Sequence, residues 1–220
     1  MTGHKLKIKV CGMRDPENIR NLVVLKPDFI GFILYPESKR YVGNDYILET
    51  EIPCKIKRTG VFVNALLQDV VQWVNRLKLD YVQLHGNEPA EYCKELNEMK
   101  IPVIKTFGMD DFFDFNTMRA YDNYCDFFLF DTKSPEHGGS GIKFNWNLLS
   151  SYTLSKPFIL SGGISPDDLV TVLSLSEKIP LYAIDINSRF ETAPGIKNIK
   201  MIREFIGSVR KHTLHKSEKK

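Results

Sequence analysis

Eight short apolar runs, rich in β-branched and aromatic residues, recur along the whole length of this chain and restrict the folds that it can adopt. Their starts are separated by 23, 29, 23, 22, 24, 31 and 24 residues. A strand followed by a crossover helix needs about this length, and parallel strands require such a crossover. We predict strands at Leu6–Val10, Phe29–Leu34, Arg58–Val63, Tyr81–Leu84, Val103–Thr106, Phe127–Phe130, Phe158–Leu160 and Tyr182–Ile186.

Helical patterns fill the intervals between these runs. Asp15–Leu25 begins with an N-cap aspartate followed by proline at the first helical position. The interval around Asp45–Glu49 has only a weak helical pattern. The other predicted helices are Ala65–Lys78, Glu88–Met99, Phe115–Tyr124, Asn145–Tyr152, Pro166–Glu177 and Ile199–Lys211.

Eight strand–helix units can form either a closed barrel or an open doubly wound sheet. The spacing is even, the composition is uniform, and no GxGxxG motif follows the first strand. These observations favour the α/β class and a single (β/α)8 TIM barrel, which needs about 200–250 residues. We predict the barrel over residues 1–209 and a basic C-terminal tail over 210–220.

The charge of the chain lies mainly in that tail. The net charge is 30 − 27 = +3, and residues 210–220 hold five Lys/Arg and one Glu, which leaves 25 − 26 = −1 elsewhere. A nucleic-acid-binding protein usually has a basic face on its folded part, so we expect no nucleic-acid partner. The longest apolar stretch, Phe29–Tyr35, is too short to cross a membrane, and no signal-peptide pattern opens the chain.

The four cysteines, Cys11, Cys54, Cys93 and Cys125, form no CxxC pair. The five histidines do not combine with them at zinc-like spacing, so we predict no metal site. Free thiols scattered through an enzyme-sized chain indicate a reducing, cytoplasmic setting.

Polar residues follow several predicted strands at their carboxyl ends, where TIM barrels place their active sites. Cys11 follows the first strand, Arg40 lies in the second loop, His85 follows the fourth strand, and Asp131 follows the sixth. We expect these side chains to face one mouth. Each also has an ordinary alternative: a buried inert cysteine, a surface arginine, a core histidine and a turn-capping aspartate.

The loops after the seventh and eighth strands are rich in small residues. They contain Ser161-Gly162-Gly163 and Asn187-Ser188. Glycines let backbone N–H groups approach an anion, and these two loops form the recurrent phosphate site of TIM barrels. The alternative is a tight turn without a ligand; in this position of a barrel we favour a phosphate site.

Seven sequence blocks, in order and over nearly the whole chain, resemble the phosphoribosylanthranilate isomerase family. They are Lys9–Gly12, Gly31–Tyr41, Gly60–Asn64, Val82–Glu88, Asp131–Trp146, Leu160–Ile164 and Asp185–Lys197. Each block alone is modest, and the ordered set is highly specific.

The resemblance implies an isomerase of tryptophan biosynthesis. It would convert N-(5-phosphoribosyl)anthranilate to 1-(2-carboxyphenylamino)-1-deoxyribulose 5-phosphate by an Amadori rearrangement without metal or organic cofactor. The family pattern makes Cys11 the general base and Asp131 the general acid. The expected substrate contacts are Arg40, for the anthranilate end, with His85, Gly162, Gly163, Asp185, Asn187, Ser188 and Arg189.

The sequence departs from the family pattern at three places. Asn187-Ser188-Arg189 replaces Ser-Ser-Gly, which puts the local turn geometry in doubt although Arg189 could supply a charge to the phosphate. Asn198 replaces the aspartate of a late Lys-Asp pair, and Arg14 stands where threonine is common.

We also expect the glycine-rich loop Pro135–Lys143 to act as a lid.

Two alternatives stay open at this point. One is another phosphate-binding barrel of the tryptophan pathway, such as indole-glycerol-phosphate synthase, although a cysteine rather than a lysine ends the first strand. The other is a non-catalytic barrel whose basic tail binds RNA or an acidic partner. The sequence leaves monomer and homodimer both possible.

Overall fold

The chain forms a closed barrel of eight parallel strands. The computed structural model describes residues 5–133 and 141–217, with the side chains of the last helix described as far as residue 212. Each strand pairs with the next, and β8 pairs with β1 to close the barrel. The strands are β1 (Lys7–Val10), β2 (Phe29–Ile33), β3 (Lys57–Phe62), β4 (Tyr81–Leu84), β5 (Val103–Met109), β6 (Phe127–Thr132), β7 (Phe158–Leu160) and β8 (Leu181–Ile186). The predicted TIM barrel is confirmed.

The connections between strands are partly α-helical and partly 3-10 helical. The α-helices are α1 (Pro16–Val23), α2 (Leu67–Leu77), α3 (Ala90–Glu98), α4 (Leu169–Ser176) and α5 (Ile199–Ser217). Single 3-10 helices, Phe115–Tyr121 and Trp146–Ser151, follow β5 and β6, where we predicted α-helices. The weak interval around Asp45–Glu49 forms no helix.

The helix starts are capped as the sequence suggests. The Asp15 side chain accepts a hydrogen bond from Asn18 N at 2.7 Å, and Pro16 occupies the first turn of α1. Asn198, at the position of the usual aspartate, accepts from Met201 N at 3.1 Å at the start of α5. An amide oxygen therefore replaces the carboxylate as the acceptor there.

The apolar residues form two cores, because successive side chains of a strand point to opposite faces. A large cluster lies between the strands and the surrounding helices and includes Ile8, Val10, Phe128 and Phe130. A small cluster of Ile104, Phe127, Leu129, Ile159 and Ala183 fills part of the barrel interior.

Two features after β8 lie outside the predicted pattern. An antiparallel hairpin, β9 (Glu191–Ala193) and β10 (Ile196–Lys197), precedes α5. Helix α5 then continues to Ser217, and Arg210 donates hydrogen bonds to the carbonyls of Leu25 and Lys26 just after α1. Within the described residues, no helix has the length and apolar character needed to span a membrane.

Candidate active site

A cavity opens at the carboxyl ends of the barrel strands. All the predicted site residues except Arg189 line it, namely Cys11, Arg40, His85, Asp131, Gly162, Gly163, Asp185, Asn187 and Ser188. The expectation that these side chains share one mouth therefore agrees with the structure.

Strand alternation explains how four different strands deliver these groups. A side chain two residues beyond an inward-facing one also faces inward. Leu129 and Ala183 belong to the interior cluster, and Asp131 and Asp185 lie two positions later on β6 and β8. The same step relates two further pairs, Gln83 with His85 and Lys9 with Cys11.

Cys11 lies just beyond the end of β1, where its backbone N–H donates to Ile186 O of β8 at 3.0 Å. A Cβ atom added at Gly31 of β2 would lie 2.7 Å from Cys11 Sγ, so glycine is what leaves room for the thiol. The residue is 4% exposed. Burial raises the pKa of the Cys11 thiol, and the nearby Lys9 ammonium opposes that rise.

A fully buried ion pair lies beside the thiol. Lys9 Nζ donates to Asp185 Oδ2 at 2.6 Å, and the two residues are register partners on β1 and β8. Burial alone would lower the pKa of Lys9, but Asp185 and Cys11 together raise it above its ordinary value. An ammonium group is thus fixed within the barrel interior next to Cys11.

Asp131 faces a histidine across the mouth. Its Oδ2 lies 3.3 Å from His85 Nε2, and its Oδ1 accepts from Thr132 N at 2.7 Å. On the other side of the ring, Gln83 Nε2 lies 2.9 Å from His85 Nδ1. An amide N–H in this position donates to Nδ1, which leaves Nε2 as the ring nitrogen that faces Asp131.

A second buried ion pair holds the loop that carries His85. Lys105 Nζ lies 3.0 Å from Glu88 Oε2 and also donates to Gly86 O at 2.8 Å. Glu88 accepts from the backbone N–H groups of Asn64 and Gly86. These bonds join the loops after β3 and β4, so they fix the backbone directly after His85.

The predicted carboxylate-binding Arg40 is anchored to the hairpin. Its Nε and Nη2 donate to the carboxylate of Glu191 at 2.7–3.0 Å. The buried Lys197 contacts Glu191 at 2.5 Å and Asn187 Oδ1 at 2.6 Å. Burial alone would raise the pKa of Glu191, but hydrogen bonds from Arg40 and Lys197 lower it.

The loops after β7 and β8 have the backbone form that an anion site needs. Gly162 and Gly163 both have left-handed φ angles, +86° and +64°. Within residues 5–133 and 141–217, the N–H groups of Gly162, Gly163 and Ser188 donate to no protein acceptor. Arg189 Nη2 instead donates to Gly141 O at 2.7 Å, and a Cβ at Gly163 would lie 2.7 Å from that same oxygen. Arg189 therefore supports the rim of this site from the side.

Comparison with known proteins identifies the family. The model of N-(5′-phosphoribosyl)anthranilate (PRA) isomerase, PRAI, matches residues 8–208. The PRA isomerase of Parabacteroides distasonis is 41% identical over 207 residues, which cover 92% of each chain. The chain belongs to the PRA isomerase family. It is accordingly an isomerase of tryptophan biosynthesis, as the sequence blocks implied.

Solved structures of PRA isomerases share the same barrel. The Thermus thermophilus enzyme superposes with a TM-score of 0.80 at 27% identity, covering 94% of this chain and all of that one. A PRA isomerase in complex with reduced 1-(o-carboxyphenylamino)-1-deoxyribulose 5-phosphate gives a TM-score of 0.76 at 30% identity, covering 94% of this chain and 99% of that one. The likeness spans the whole barrel.

Sequence reasoning missed four residues of this PRA isomerase site: Lys9, Gln83, Glu191 and Lys197. Lys9 and Gln83 could have been found, because each lies two positions before a predicted site residue on a strand. Residues two positions apart on a strand face the same side, here the barrel interior. Glu191 and Lys197 had no such signal, because the hairpin that carries them was not predicted. Gly138, Gly139 and Ser140, and with them most of the predicted lid Pro135–Lys143, lie outside the described residues.

Proposed function

We propose that the chain isomerises N-(5-phosphoribosyl)anthranilate with Cys11 as general base and Asp131 as general acid. The observation that carries this assignment is the position of the two side chains. Cys11 lies just beyond β1 and Asp131 lies on β6, and both line one cavity at the mouth of the barrel. A substrate bound between them meets an acid on one side and a base on the other.

Asp131 performs the first step, ring opening. Its protonated carboxyl group donates to the ribose ring oxygen while the anilino nitrogen lone pair forms a C=N bond and the C1′–O bond breaks. The product is an open-chain iminium ion. His85, 3.3 Å away, orients the carboxyl group and exchanges protons with it.

Cys11 performs the second step. Its thiolate removes the proton from C2′, and the electron pair moves to the iminium to give an enolamine. Tautomerisation transfers a proton to C1′ and converts the enol to the ketone of the product. Because burial raises the pKa of Cys11, its thiolate is a stronger base than an exposed one, although less of it is present.

Two anchors orient the substrate between these groups. The backbone N–H groups of Gly162, Gly163 and Ser188 bind the phosphate, with Asn187 and Arg189 beside them. Arg40 binds the anthranilate carboxylate, and Asp185 and His85 complete the contacts. Glu191 supports this role because it holds the Arg40 guanidinium at the edge of the cavity.

The test is fluorescence-monitored turnover of phosphoribosylanthranilate, generated in situ, by the purified chain and two variants. Cys11→Ser and Asp131→Asn should each lose kcat while the reduced product analogue still binds. Asp122→Asn, at an exposed surface ion pair, is the matched control and should turn over normally. Near-wild-type kcat in either site variant would reassign that residue to a structural role.

The wider setting of the enzyme is part of the same proposal. We infer a cytoplasmic enzyme without metal, organic cofactor, nucleic-acid or membrane partner, working as a monomer or homodimer. All four cysteines are free thiols, which supports a reducing compartment. A PRA isomerase of Thermotoga maritima is described as dimeric. Light scattering on the purified chain should show whether this chain is a monomer or a dimer.

A further inference from the structure

The ion pair beside Cys11 is unusual for the interior of a barrel. Lys9 is completely buried and Asp185 is 5% exposed. Asp185 Oδ1 is a buried atom without a hydrogen-bond partner among the described residues. Two buried charges are costly to desolvate, and apolar replacements of a buried ion pair are often as stable or more so. Stability alone is therefore a weak reason for charges at this point.

The contacts of Lys9 suggest another reason. Its ammonium group is bound by Asp185 Oδ2, and both Asp185 and Cys11 line the cavity. Lys9 and Cys11 are two residues apart on one strand register, so β1 itself holds the ammonium beneath the thiol. The ion pair with Asp185 keeps Lys9 charged despite its burial.

We propose that Lys9 is a positioning residue for the Cys11 base: its ammonium, held next to Cys11 by β1 and by Asp185, stabilises the thiolate, and Asp185 is the counter-charge that limits this stabilisation. The proposal rests on the proposed function only in taking Cys11 as the base. Asp185 thus acts on the chemistry through Lys9, whether or not it also touches the substrate.

The other charges near the thiol are accounted for in this scheme. Lys197 on β10 also favours the thiolate, and Asp185 on β8 disfavours it. Asp131 on β6 and His85, just after β4, act on Asp185 from across the mouth. Of these groups, Lys9 has the strongest favourable effect on the thiolate and lies on β1, two residues before Cys11.

The scheme predicts opposite effects for the two partners of one ion pair. Lys9→Met removes the cation and should raise the titration midpoint of Cys11. Asp185→Asn leaves the ammonium facing the thiol alone and should lower the midpoint. A general loosening of the barrel would move both variants in the same direction, so the sign of the two shifts decides between the explanations.

The measurement is an NMR titration of the full chain labelled with ¹³Cβ-cysteine. It yields one signal from each of the four cysteines, and Cys11→Ser assigns the one that matters. We expect the Cys11 midpoint to rise by about 1–3 pH units in Lys9→Met and to fall in Asp185→Asn, as for an opposite or like charge within contact distance. The double variant lacks both charges, so its midpoint should lie between those of the two single variants.

The control is Lys7→Met. Lys7 lies two residues earlier on β1 and pairs with Asp28 at 2.8 Å, away from the mouth. The Lys7→Met variant should leave the Cys11 titration midpoint unchanged. An unchanged midpoint in Lys9→Met, or shifts of the same sign in Lys9→Met and Asp185→Asn, would overturn the proposal. If Lys9→Met does not fold, the Asp185→Asn shift and the double variant still decide it.

Kinetics separate this proposal from the assignment of the base. In Lys9→Met, kcat/KM at neutral pH should fall about tenfold or more, and the loss should shrink at alkaline pH as the thiolate forms. If the midpoints shift as predicted while Cys11→Ser keeps its activity, the effect of Lys9 on Cys11 stands and the role of Cys11 as base fails.

Discussion

The two sides of the active site use buried charge in different ways. Beside Cys11, two buried lysines are paired with carboxylates, Lys9 with Asp185 and Lys197 with Glu191, and both lysines act on the thiol. On the side of Asp131, the buried pair lies next to the loop of its neighbour His85: it is Lys105 with Glu88, which bonds to backbone groups of two loops.

This difference follows from where each reacting group is attached. Cys11 lies at the end of a strand whose position is already fixed by pairing with both neighbours, so nearby charges are available to tune its protonation. His85, the neighbour of Asp131, begins a loop, and that loop needs its backbone held before the imidazole can be aimed. Substitutions on the base side should therefore change pH dependence, and those on the acid side should change geometry.

The largest effect should come from Cys11→Ser. Loss of a general base typically costs about 10²–10⁴-fold in rate, and we expect kcat to fall by this amount while KM changes little. Wild-type kcat/KM should keep rising beyond about pH 8.5, the ordinary thiol value, because burial raises the pKa of Cys11. The measurement is steady-state kinetics from pH 6 to pH 10.

Cys54→Ser is the matched control for this prediction, since Cys54 is an exposed free thiol away from the cavity. It should behave as the wild type at every pH. A profile in Cys11→Ser that keeps its alkaline rise would show that another group titrates.

A smaller loss is expected for His85→Ala on the acid side. Removing the imidazole leaves Asp131 without its side-chain partner, so kcat should fall about 10–100-fold, less than for the acid itself. Single-turnover kinetics should place the loss in the ring-opening step. His212 lies on α5 and contacts Glu177, away from the cavity, so His212→Ala should have no effect. An equal loss in His212→Ala would mean that the loss in His85→Ala is not specific to the active site.

The two glycines after β7 should affect different kinetic parameters, Gly163 the KM and Gly162 the kcat. A Cβ at Gly163 would crowd the carbonyls of Gly141 and Ile142, so Gly163→Ala, and more so Gly163→Val, should raise KM by distorting the phosphate loop. A Cβ at Gly162 would crowd Thr132 and Asp131 Oδ1, so Gly162→Ala should mainly lower kcat.

Both changes also place alanine at a left-handed φ, which costs about 1–2 kcal/mol, so effects of about tenfold are expected. Steady-state kinetics measure kcat and KM for each variant, and a titration with inorganic phosphate measures binding at the loop. Equal changes in KM and kcat for both variants would mean that the two glycines support one common loop geometry.

The smallest effect concerns acid stability. The pKa of Glu191 is lowered in the folded protein, so its ionised form stabilises the fold above the unfolded value of about 4.3, and this stability is lost as the pH falls below it. The urea midpoint of the wild type should therefore drop more steeply between about pH 5 and pH 3 than that of Glu191→Gln. Parallel curves would remove Glu191 from the acid-sensitive groups.

The regular part of the barrel was predictable because its signals are local. Each of the eight strands overlaps its predicted range, since apolar runs at even spacing need no knowledge of distant residues. The connections after β5 and β6 were harder. Both segments begin with a side-chain cap, Asp114 or Asn145, but they form short 3-10 helices rather than full α-helices. Helical propensity along the sequence does not distinguish a short 3-10 helix from a longer α-helix.

The barrel, its mouth and the residues that follow its strands could all be predicted, because strand period and loop position depend on neighbours along the chain. The charges that surround the reacting groups could not be predicted, since they come together only in the folded protein. Lys9 meets Asp185 across 176 residues, and Arg40 meets Glu191 across 151, through closure of the barrel and a hairpin that the sequence did not reveal. Electrostatic effects on a buried thiol depend on distance and burial, and both arise only when the chain has folded.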